Sequence, residues 1–531
     1  MQTYTKLYIS KMPVKIILSL LFGVLLGLSW PTSGFTPLIF VALVPLLWLI
    51  ERTKNDGFWA FSSRVFLGFL VWNAIATWWL WNATAFGMFF AMFVNSSLMT
   101  LVVLLWRRVD RKLGRKVGFI FLPLAWICFE KLHLNWDFSW PWLNLGNGFA
   151  ANPDWVQWYE YTGVFGGTLW IWVVNISLYQ AIKHYLVNKK ACKKLIRPLA
   201  LIFIPLGLSF FIKNQFEQKT EETLTVTVVQ PNIDPYTEKY DQTTQEQYEL
   251  LLEQIGTELS KKPDVIVTPE TYFSEGAGTN LSLIEESKLY QDLLNVANSN
   301  NTQLLNGIQF YKTYAENDRT KTANRLNNGV WADFYNSAFL TDSTGVHVYH
   351  KSKLVVGVET LPFRDIVEPL LGNVMLDFGG TILTRATQEE REAFPLYNDV
   401  KISPVICYES VYGEFVTGYV RNGAEVLAIM TNDAWWGDTA GHKQHMAYAS
   451  LRAIETRRAV VRAANTGISG FITPLGEVSE KLAYTTKGVL TEAVYPQSAI
   501  TLYVRYGDYM FRLGGFVAGL MLLFSFSRRK N

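Results

Sequence analysis

The sequence predicts two parts of different fold class: a multi-pass α-helical membrane domain of about eight spans and an external α/β domain. Three observations support this division. Hydrophobic residues make up 50% of the chain and charged residues 18%, whereas soluble proteins carry about 25% charged residues. Long uncharged apolar runs occupy the first 213 residues and the C-terminal end. Between them, strand and helix patterns alternate, as in a layered α/β sandwich.

The composition narrows the possible functions. The chain has 48 Lys and Arg and 45 Asp and Glu. The resulting net charge of +3 lacks the strong excess of basic residues that is typical of nucleic-acid-binding proteins. Three cysteines cannot form a disulfide scaffold, and the six histidines lack the HExxH spacing of zinc sites. The sequence also contains no P-loop and no GxGxxG motif. We therefore expect no metal, no cofactor and no nucleic-acid partner.

The uncharged runs set the predicted spans, because a helix needs about 20 apolar residues to cross a bilayer. The run 16–50 is interrupted at 31–34 and predicts two spans joined by a turn. The run 65–106 is interrupted at 82–84 and predicts two more. Four single spans are predicted in the shorter runs 117–129, 161–182, 198–212 and 513–527.

The basic residues orient these spans. Six Lys or Arg lie in 107–116 and six more in 183–197, whereas the alternate connections 31–36, 80–86 and 132–160 contain none. Because cytoplasmic loops carry the excess of Lys and Arg, both termini are predicted to be cytoplasmic. The region after the seventh span is then predicted to lie outside the cytoplasmic membrane.

Changes in composition set the predicted domain boundaries. The membrane domain covers residues 1–213, and a polar linker follows at 214–223. The external α/β domain covers 224–508, and 509–531 forms the last span with a basic cytoplasmic tail.

The external domain shows its elements in order. Short apolar or alternating runs predict strands, and Leu and Ile at helical spacing predict helices. The predicted strands are 224–229, 264–268, 303–310, 336–341, 346–350, 401–406 and 426–431, and the predicted helices are 245–259, 283–298 and 445–462. Turns at 342–345 and 474–476 predict hairpins.

Three residues at predicted strand ends are candidates for chemistry. Glu270 follows a buried strand, and Lys351 and Cys407 each end a strand, which is where α/β folds place reactive groups. A carboxylate can deprotonate a thiol, and a lysine can stabilise an oxyanion, so the three together suit acyl transfer. Taken singly, each of these residues is also consistent with a purely structural role. Cys407 is the only predicted external thiol, because Cys128 falls in a span and Cys192 in a cytoplasmic loop.

The segments around these residues resemble a known superfamily. PET at Glu270, YHKSKLV at Lys351 and CYES at Cys407 resemble the Glu-Lys-Cys triad of the nitrilase, or carbon–nitrogen hydrolase, superfamily. Further matches are VVQPNI, TNDAWWG, AANTGIS, SWPWLNLG and RYGD. Over nearly the whole chain, the sequence is similar to the membrane-embedded apolipoprotein N-acyltransferase family.

This resemblance implies an external domain with the nitrilase-like αββα sandwich fold, and it also implies a reaction. An acyl chain passes from a phospholipid, through a Cys thioester, to the α-amine of the diacylglyceryl-cysteine of a bacterial apolipoprotein. The implied partners are the phospholipid donor, the diacylated apolipoprotein acceptor and the lipid bilayer. The implied location is the bacterial inner membrane, with a monomer whose catalytic domain is periplasmic.

The resemblance also implies residue roles. Cys407 is the nucleophile, Glu270 the general base and Lys351 the oxyanion donor. The supporting or substrate-binding residues that it implies are Glu359, Tyr408, Glu409, Tyr240, Asn432, Trp435 and Trp142. The family's Pro-Phe-Gly before the second glutamate is replaced by Val-Gly-Val before Glu359, which predicts a differently placed loop.

Other possibilities follow from the same residues. The apolar segment 361–395 is expected to be either an arm over the site or a hairpin packed on the domain. A membrane-tethered amidase or nitrilase would use the same triad with water as acceptor. A non-enzymatic envelope scaffold would require the match to the triad to be accidental.

Overall fold

The computed structural model describes residues 12–32, 34–188, 192–218, 222–326, 329–343, 345–360, 362–363 and 384–527. The chain divides into two compact units. The first combines Met1–Gln215 with Tyr506–Asn531, and the second comprises Phe216–Arg505. The first unit is helical and the second contains two β-sheets, as the predicted fold classes require.

Apolar helices make up the first unit. Among the described residues, six helices are long and apolar enough to cross a membrane: Phe58–Thr77, Ala85–Leu113, Arg115–Asn135, Val164–Asn188, Lys193–Gln215 and Tyr509–Ser527. Met12–Leu28 is a shorter apolar helix. The predicted turn at 82–84 is present, because Leu80–Ala83 ends there and Thr84 Oγ1 caps the next helix by accepting from Gly87 N at 3.1 Å.

The second span predicted before residue 50 is not one continuous helix. The chain there forms a 3-10 helix at Thr36–Phe40 and a separate nine-residue helix at Val44–Arg52. Pro37 and Pro45 stand at the starts of these elements, and a proline lacks the N–H that would continue a preceding helix. Nine residues extend only about 14 Å, short of the ~30 Å hydrocarbon core.

A buried carboxylate ties the first unit together. Glu130 accepts hydrogen bonds from Leu145 N at 2.7 Å, Trp126 Nε1 at 3.1 Å and Thr168 Oγ1 at 2.8 Å. These donors come from two long helices and the loop between them. A buried carboxylate is tolerated when its oxygens are bonded in this way.

The second unit contains two sheets, whose strands are numbered here in chain order. The first sheet contains β1 Leu224–Gln230, β2 Val265–Val267, β3 Thr279–Asn280, β4 Gln303–Tyr314, β5 Asn324–Arg325, β6 Trp331–Asp342, β7 Gly345–His350 and β14 Gly488–Val494. The second contains β8 Phe394–Pro395, β9 Lys401–Ile406, β10 Val426–Thr431, β11 Ala459–Ala464, β12 Ser469–Ile472 and β13 Val478–Leu482. The centre of each sheet is parallel, formed by β1, β2 and β4 and by β9, β10 and β11.

Helices cover the sheets and complete an αββα sandwich. Thr244–Ile255 and Lys288–Asn300 bury Leu251 and Leu293 in the core of the first sheet. Ala440–Thr456 packs on the second sheet, and Gly413–Arg421 packs beside it.

The predicted helix 445–462 is wrong at its C-terminal end. The helix Ala440–Thr456 stops at Arg457, whose φ of +51° is left-handed, and Ala459–Ala464 is the parallel strand β11. Val460 and Val461 are β-branched and fully buried, which favours a strand in a parallel sheet.

Candidate active site

The candidate active site lies where strands of both sheets end. Glu270 follows β2 by three residues, Lys351 directly follows β7, and Cys407 and Asn432 directly follow β9 and β10. The main-chain N–H of Asn432 donates to Glu270 Oε2 at 3.0 Å, so strand ends of the two sheets meet in one site. Ligands of α/β folds commonly bind at such strand ends.

Lys351 lies between two buried carboxylates. Its Nζ is 2.9 Å from Glu270 Oε1, and it is 3.1 Å from Oε1 and 2.9 Å from Oε2 of Glu359. Asn336 bridges the same pair by donating to Glu270 Oε1 at 2.8 Å and to Glu359 Oε1 at 3.0 Å. Val355 N donates to Glu359 Oε2 at 2.9 Å. The loop with the altered Val-Gly-Val sequence therefore has its carboxylate directly beside Lys351.

The two carboxylates keep Lys351 charged. Burial alone lowers the pKa of Lys351, but Glu270 and Glu359 raise this pKa well above its usual value. Burial alone would raise the pKa of Glu359, and the charges of Lys351 and Arg385 hold it below its usual value. An ammonium has three N–H donors, so two carboxylates can engage two of them and leave the third for an oxyanion.

Cys407 occupies a tight turn between β9 and the 3-10 helix Cys407–Val411. Its φ is +51°, a left-handed value that residues other than glycine seldom adopt. Ser410 Oγ donates to the Cys407 carbonyl oxygen at 2.7 Å, and His445 Nε2 lies 3.3 Å from the same oxygen. Strained backbone of this kind concentrates at active sites, which favours a functional role for Cys407.

The buried surroundings of Cys407 disfavour its thiolate. Burial raises the pKa of Cys407 well above its ordinary value, and the charge of Glu270 raises it further, whereas Lys351 lowers it. A nucleophilic thiol in this environment needs a base that accepts its proton. Glu270 is the carboxylate whose charge acts most strongly on the thiol, so it is the candidate base.

Glu409 connects the two loops that carry Lys351 and Cys407. The carboxylate is fully buried, and burial raises its pKa even though its hydrogen bonds act in the opposite direction. It accepts hydrogen bonds of 2.6–2.8 Å from the Tyr349 hydroxyl, Ser352 N, Ile406 N and the Tyr419 hydroxyl. Glu409 therefore fixes the positions of the two loops relative to each other.

A Ser-His-Asp arrangement lies under the Cys407 turn. His445 Nε2 is 2.9 Å from Ser410 Oγ, and His445 Nδ1 is 3.0 Å from Asp433 Oδ1. The three side chains are fully buried, and the Ser410 hydroxyl already donates to the Cys407 carbonyl. Because Ser410 cannot meet a substrate in this position, the arrangement supports the Cys407 turn and is not a second nucleophilic site.

Three other predicted residues of the second unit, Tyr408, Trp435 and Tyr240, differ in how far they are exposed. Tyr408 is buried and packs against Tyr412, with ring centroids 5.2 Å apart. Trp435 is partly exposed and packs edge-on against Tyr236, with centroids 5.1 Å apart, and Tyr240 is exposed on the same loop as Tyr236.

Two other predictions concern Trp142 and the apolar segment 361–395. Trp142 belongs to the first unit, where it is fully buried and stacked on Trp140 with ring centroids 5.7 Å apart, and its role in substrate binding stays a prediction. Most of the predicted arm, including 364–383, lies outside the described residues. No group of His, Cys, Asp or Glu that could hold a metal ion occurs in the described ranges.

Sequence reasoning missed two residues of the site, Asn336 and Lys239. Asn336 lies in the predicted hairpin, and β6 pairs with β7 so that Ser337 is opposite His350. The same register places Asn336 beside Lys351, whose main-chain N–H donates to the main-chain carbonyl oxygen of Asn336 at 2.8 Å. The hairpin pattern could therefore have identified Asn336. Lys239 had no comparable signal, because its burial results from tertiary packing.

Comparisons with known proteins agree with the two-part organisation. Residues 22–177 match the profile of the apolipoprotein N-acyltransferase N-terminal domain, and residues 225–502 match that of carbon–nitrogen hydrolases. The chain is 30% identical to the apolipoprotein N-acyltransferase of Chlorobaculum tepidum over 97% of both chains. It is 26% identical to that of Geobacter metallireducens, over 93% of this chain and 91% of the relative.

Among solved structures, an amidase from Nesterenkonia sp. is similar over 55% of this chain and 96% of its own, with 14% identity and a TM-score of 0.37.

Proposed function

The chain belongs to the apolipoprotein N-acyltransferase family, and on this premise we propose the reaction of its buried site. The enzyme transfers an acyl chain from a membrane phospholipid to the α-amine of the N-terminal diacylglyceryl-cysteine of bacterial apolipoproteins. The acyl chain passes through a thioester on Cys407. The observation that carries the proposal is the pairing of buried Lys351 with Glu270 and Glu359, at strand ends that also carry the buried thiol of Cys407.

The first half-reaction forms the acyl-enzyme. Cys407 Sγ attacks the ester carbonyl carbon of the phospholipid, and Glu270 accepts the thiol proton. The remaining N–H of Lys351 donates to the oxyanion of the tetrahedral intermediate. The ester C–O bond then breaks, Glu270 returns the proton to the departing alkoxide, and a lysophospholipid leaves.

The second half-reaction forms the amide. The α-amine of the acceptor attacks the thioester carbonyl carbon, and Glu270 accepts a proton from the amine. The C–S bond breaks, and the proton returns to the sulfur of Cys407. The overall exchange of an ester for an amide is favourable, so it requires no nucleotide.

Both substrates are anchored in a membrane, and the apolar helices of the first unit suit an enzyme held in the same bilayer. The bias of Lys and Arg supports an inner-membrane orientation with a periplasmic catalytic unit and cytoplasmic termini. One chain supplies Glu270, Lys351 and Cys407, which supports a monomer as the working form.

The function is tested with a fluorescent phospholipid and a diacylated lipopeptide that has a free α-amine. The purified enzyme is expected to give a triacylated, fluorescent lipopeptide, identified by mass. A matched lipopeptide with an acetylated α-amine is the control and should remain unmodified. Release of free fatty acid at the same rate with and without acceptor would contradict acyl transfer and favour the amidase or nitrilase alternative.

A further inference from the structure

Lys239 is a buried lysine beside the catalytic carboxylate. The residue lies in the loop after β1 and is only 2% exposed. Its Nζ donates to the carbonyl oxygen of Glu270 at 3.0 Å and to Thr271 Oγ1 at 2.6 Å. Within the part of the chain that the structure describes, no carboxylate forms an ion pair with it.

A buried ammonium without a carboxylate partner is costly to the fold. Burial lowers the pKa of Lys239 to about 8, although the nearby charge of Glu270 acts in the opposite direction. A lysine is seldom fully buried unless its ammonium is paired or hydrogen-bonded. Both of its acceptors belong to the short segment that carries Glu270.

That segment has an unfavourable backbone conformation. Thr271 has a φ of +46°, and a β-branched residue in the left-handed region is a genuine outlier. The segment presses against Gly307, where an added Cβ would lie 2.0 Å from the Pro269 carbonyl oxygen. The ammonium of Lys239 also donates a hydrogen bond to each of the two residues, Glu270 and Thr271.

Lys239 is itself fixed to a helix. Gln247 Nε2 donates to the Lys239 carbonyl oxygen at 3.2 Å, and Gln247 lies on the helix Thr244–Ile255. Ser274 Oγ donates to the same oxygen, also at 3.2 Å. A continuous series of hydrogen bonds therefore runs from this helix to the main chain of Glu270.

We infer that Lys239 is a positioning residue for acyl transfer. Its ammonium clamps the strained Glu270–Thr271 turn and thereby keeps the Glu270 carboxylate in place to receive the thiol proton of Cys407. This inference rests on the proposed function, because it takes Glu270 as the base. Without the clamp, Thr271 relaxes toward the right-handed region and the carboxylate turns away from its position.

The test uses the full-length enzyme in detergent, with Lys239→Met, Thr271→Gly and the double variant. Alkylation of Cys407 by iodoacetamide, followed by mass spectrometry of its peptide, measures thiol activation without any lipid. Acyl-enzyme formation from phosphatidylethanolamine gives kcat and KM for the first half-reaction. Leu293→Ala is the control, since it weakens the core of the same unit away from the triad.

Lys239→Met should slow both alkylation and acylation by about 30-fold or more, because small misplacements of catalytic groups cost up to about 100-fold. KM for the phospholipid should change less than about twofold, since Lys239 acts through the base and not through the substrate. Adding Thr271→Gly to Lys239→Met should restore about fivefold, because glycine adopts the positive φ without the steric cost.

Two outcomes would overturn the inference. One is a folded Lys239→Met enzyme with wild-type rates of alkylation and acylation. The other is a slow Lys239→Met enzyme in which Thr271→Gly restores nothing, or whose loss is matched by Leu293→Ala at equal thermal stability. A wild-type enzyme that alkylates normally but never accepts an acyl chain from phospholipid would instead contradict the proposed function and leave the alkylation test of Lys239 intact.

Discussion

Glu409 Oε1 accepts a hydrogen bond from Ser352 N at 2.7 Å, and this bond links the residue after Lys351 to the turn that carries Cys407. The other oxygen of the carboxylate accepts from Ile406 N at 2.8 Å, directly before Cys407. One buried side chain therefore links the segments that carry Lys351 and Cys407. Such supporting residues hold catalytic groups within the narrow tolerance that their reactions need.

Glu409→Gln should uncouple these loops. The NH₂ group of the glutamine would face N–H or O–H donors that now bond to a carboxylate oxygen. We therefore expect a stability loss of about 3 kcal/mol and an acylation rate reduced about tenfold or more. Tyr419→Phe is the control, because it removes one donor from Glu409 and should cost about 1 kcal/mol. Chemical denaturation and the acylation rate are the measurements. Equal effects of the two variants would contradict the linking role.

Lys351→Met should lower stability, because the lysine also neutralises the charges of Glu270 and Glu359. Its loss leaves Glu270 and Glu359 buried without their shared cation, a situation that costs about 3–5 kcal/mol of stability. Adding Glu359→Gln should recover part of this stability but none of the activity, since the oxyanion donor is still missing. Unfolding free energies and acylation rates of the three variants are the measurements. Recovery of activity in the double variant would contradict the oxyanion role of Lys351.

The rate at which Cys407 reacts should depend on proton transfer to a base and not on the thiolate population of the free thiol. Burial raises the pKa of Cys407, so its thiolate population stays low as the pH rises through 8.5, the usual pKa of a free thiol. We therefore expect no inflection near pH 8.5 in the rate of alkylation by iodoacetamide. Glu270→Gln should slow alkylation at neutral pH at least about tenfold, because the general base is gone. An inflection near pH 8.5 in the wild-type enzyme would contradict this.

Glu270, Lys351 and Cys407 could be selected as candidates because each directly or closely follows a strand, and strand patterns are visible in the sequence. Asn336 could have been predicted from the register of the β6–β7 hairpin. Lys239 could not have been predicted, because nothing in the sequence distinguishes a buried lysine from the exposed lysines of other loops. The misassigned strand β11 follows a helix without a Gly or Pro between them, and Arg457 supplies the left-handed residue that ends the helix. Its apolar residues therefore continued the helical pattern.

The proposed orientation predicts which engineered cysteines are accessible from outside the cell. Lys116→Cys lies in the basic segment 107–116, at the start of the helix Arg115–Asn135, and should resist membrane-impermeant maleimides in intact cells. Ala151→Cys lies in the connection without Lys or Arg, is exposed, and should be labelled. Both variants are made without Cys128 and Cys192, and permeabilised cells provide the control in which both sites react. The reverse pattern would contradict the periplasmic placement of Cys407.

The acyl-enzyme should persist until an amine arrives. An acyltransferase must keep water from the thioester, and Cys407 is buried, as are Glu270 and Lys351. Incubation with phospholipid alone should therefore leave a long-lived, hydroxylamine-sensitive acyl group on Cys407, and a diacylated lipopeptide with a free α-amine should discharge it with ping-pong kinetics.

Mass spectrometry of the Cys407 peptide measures this intermediate, and the lipopeptide with an acetylated amine should leave it in place. Cys407→Ala should form no acyl-enzyme while keeping the fold, and Cys407→Ser should be nearly inactive because a hydroxyl is much harder to deprotonate. Cys128→Ala and Cys192→Ala should retain activity. A thioester that hydrolyses as fast without acceptor as it is discharged with acceptor would contradict the transferase mechanism, because water would then be the true second substrate.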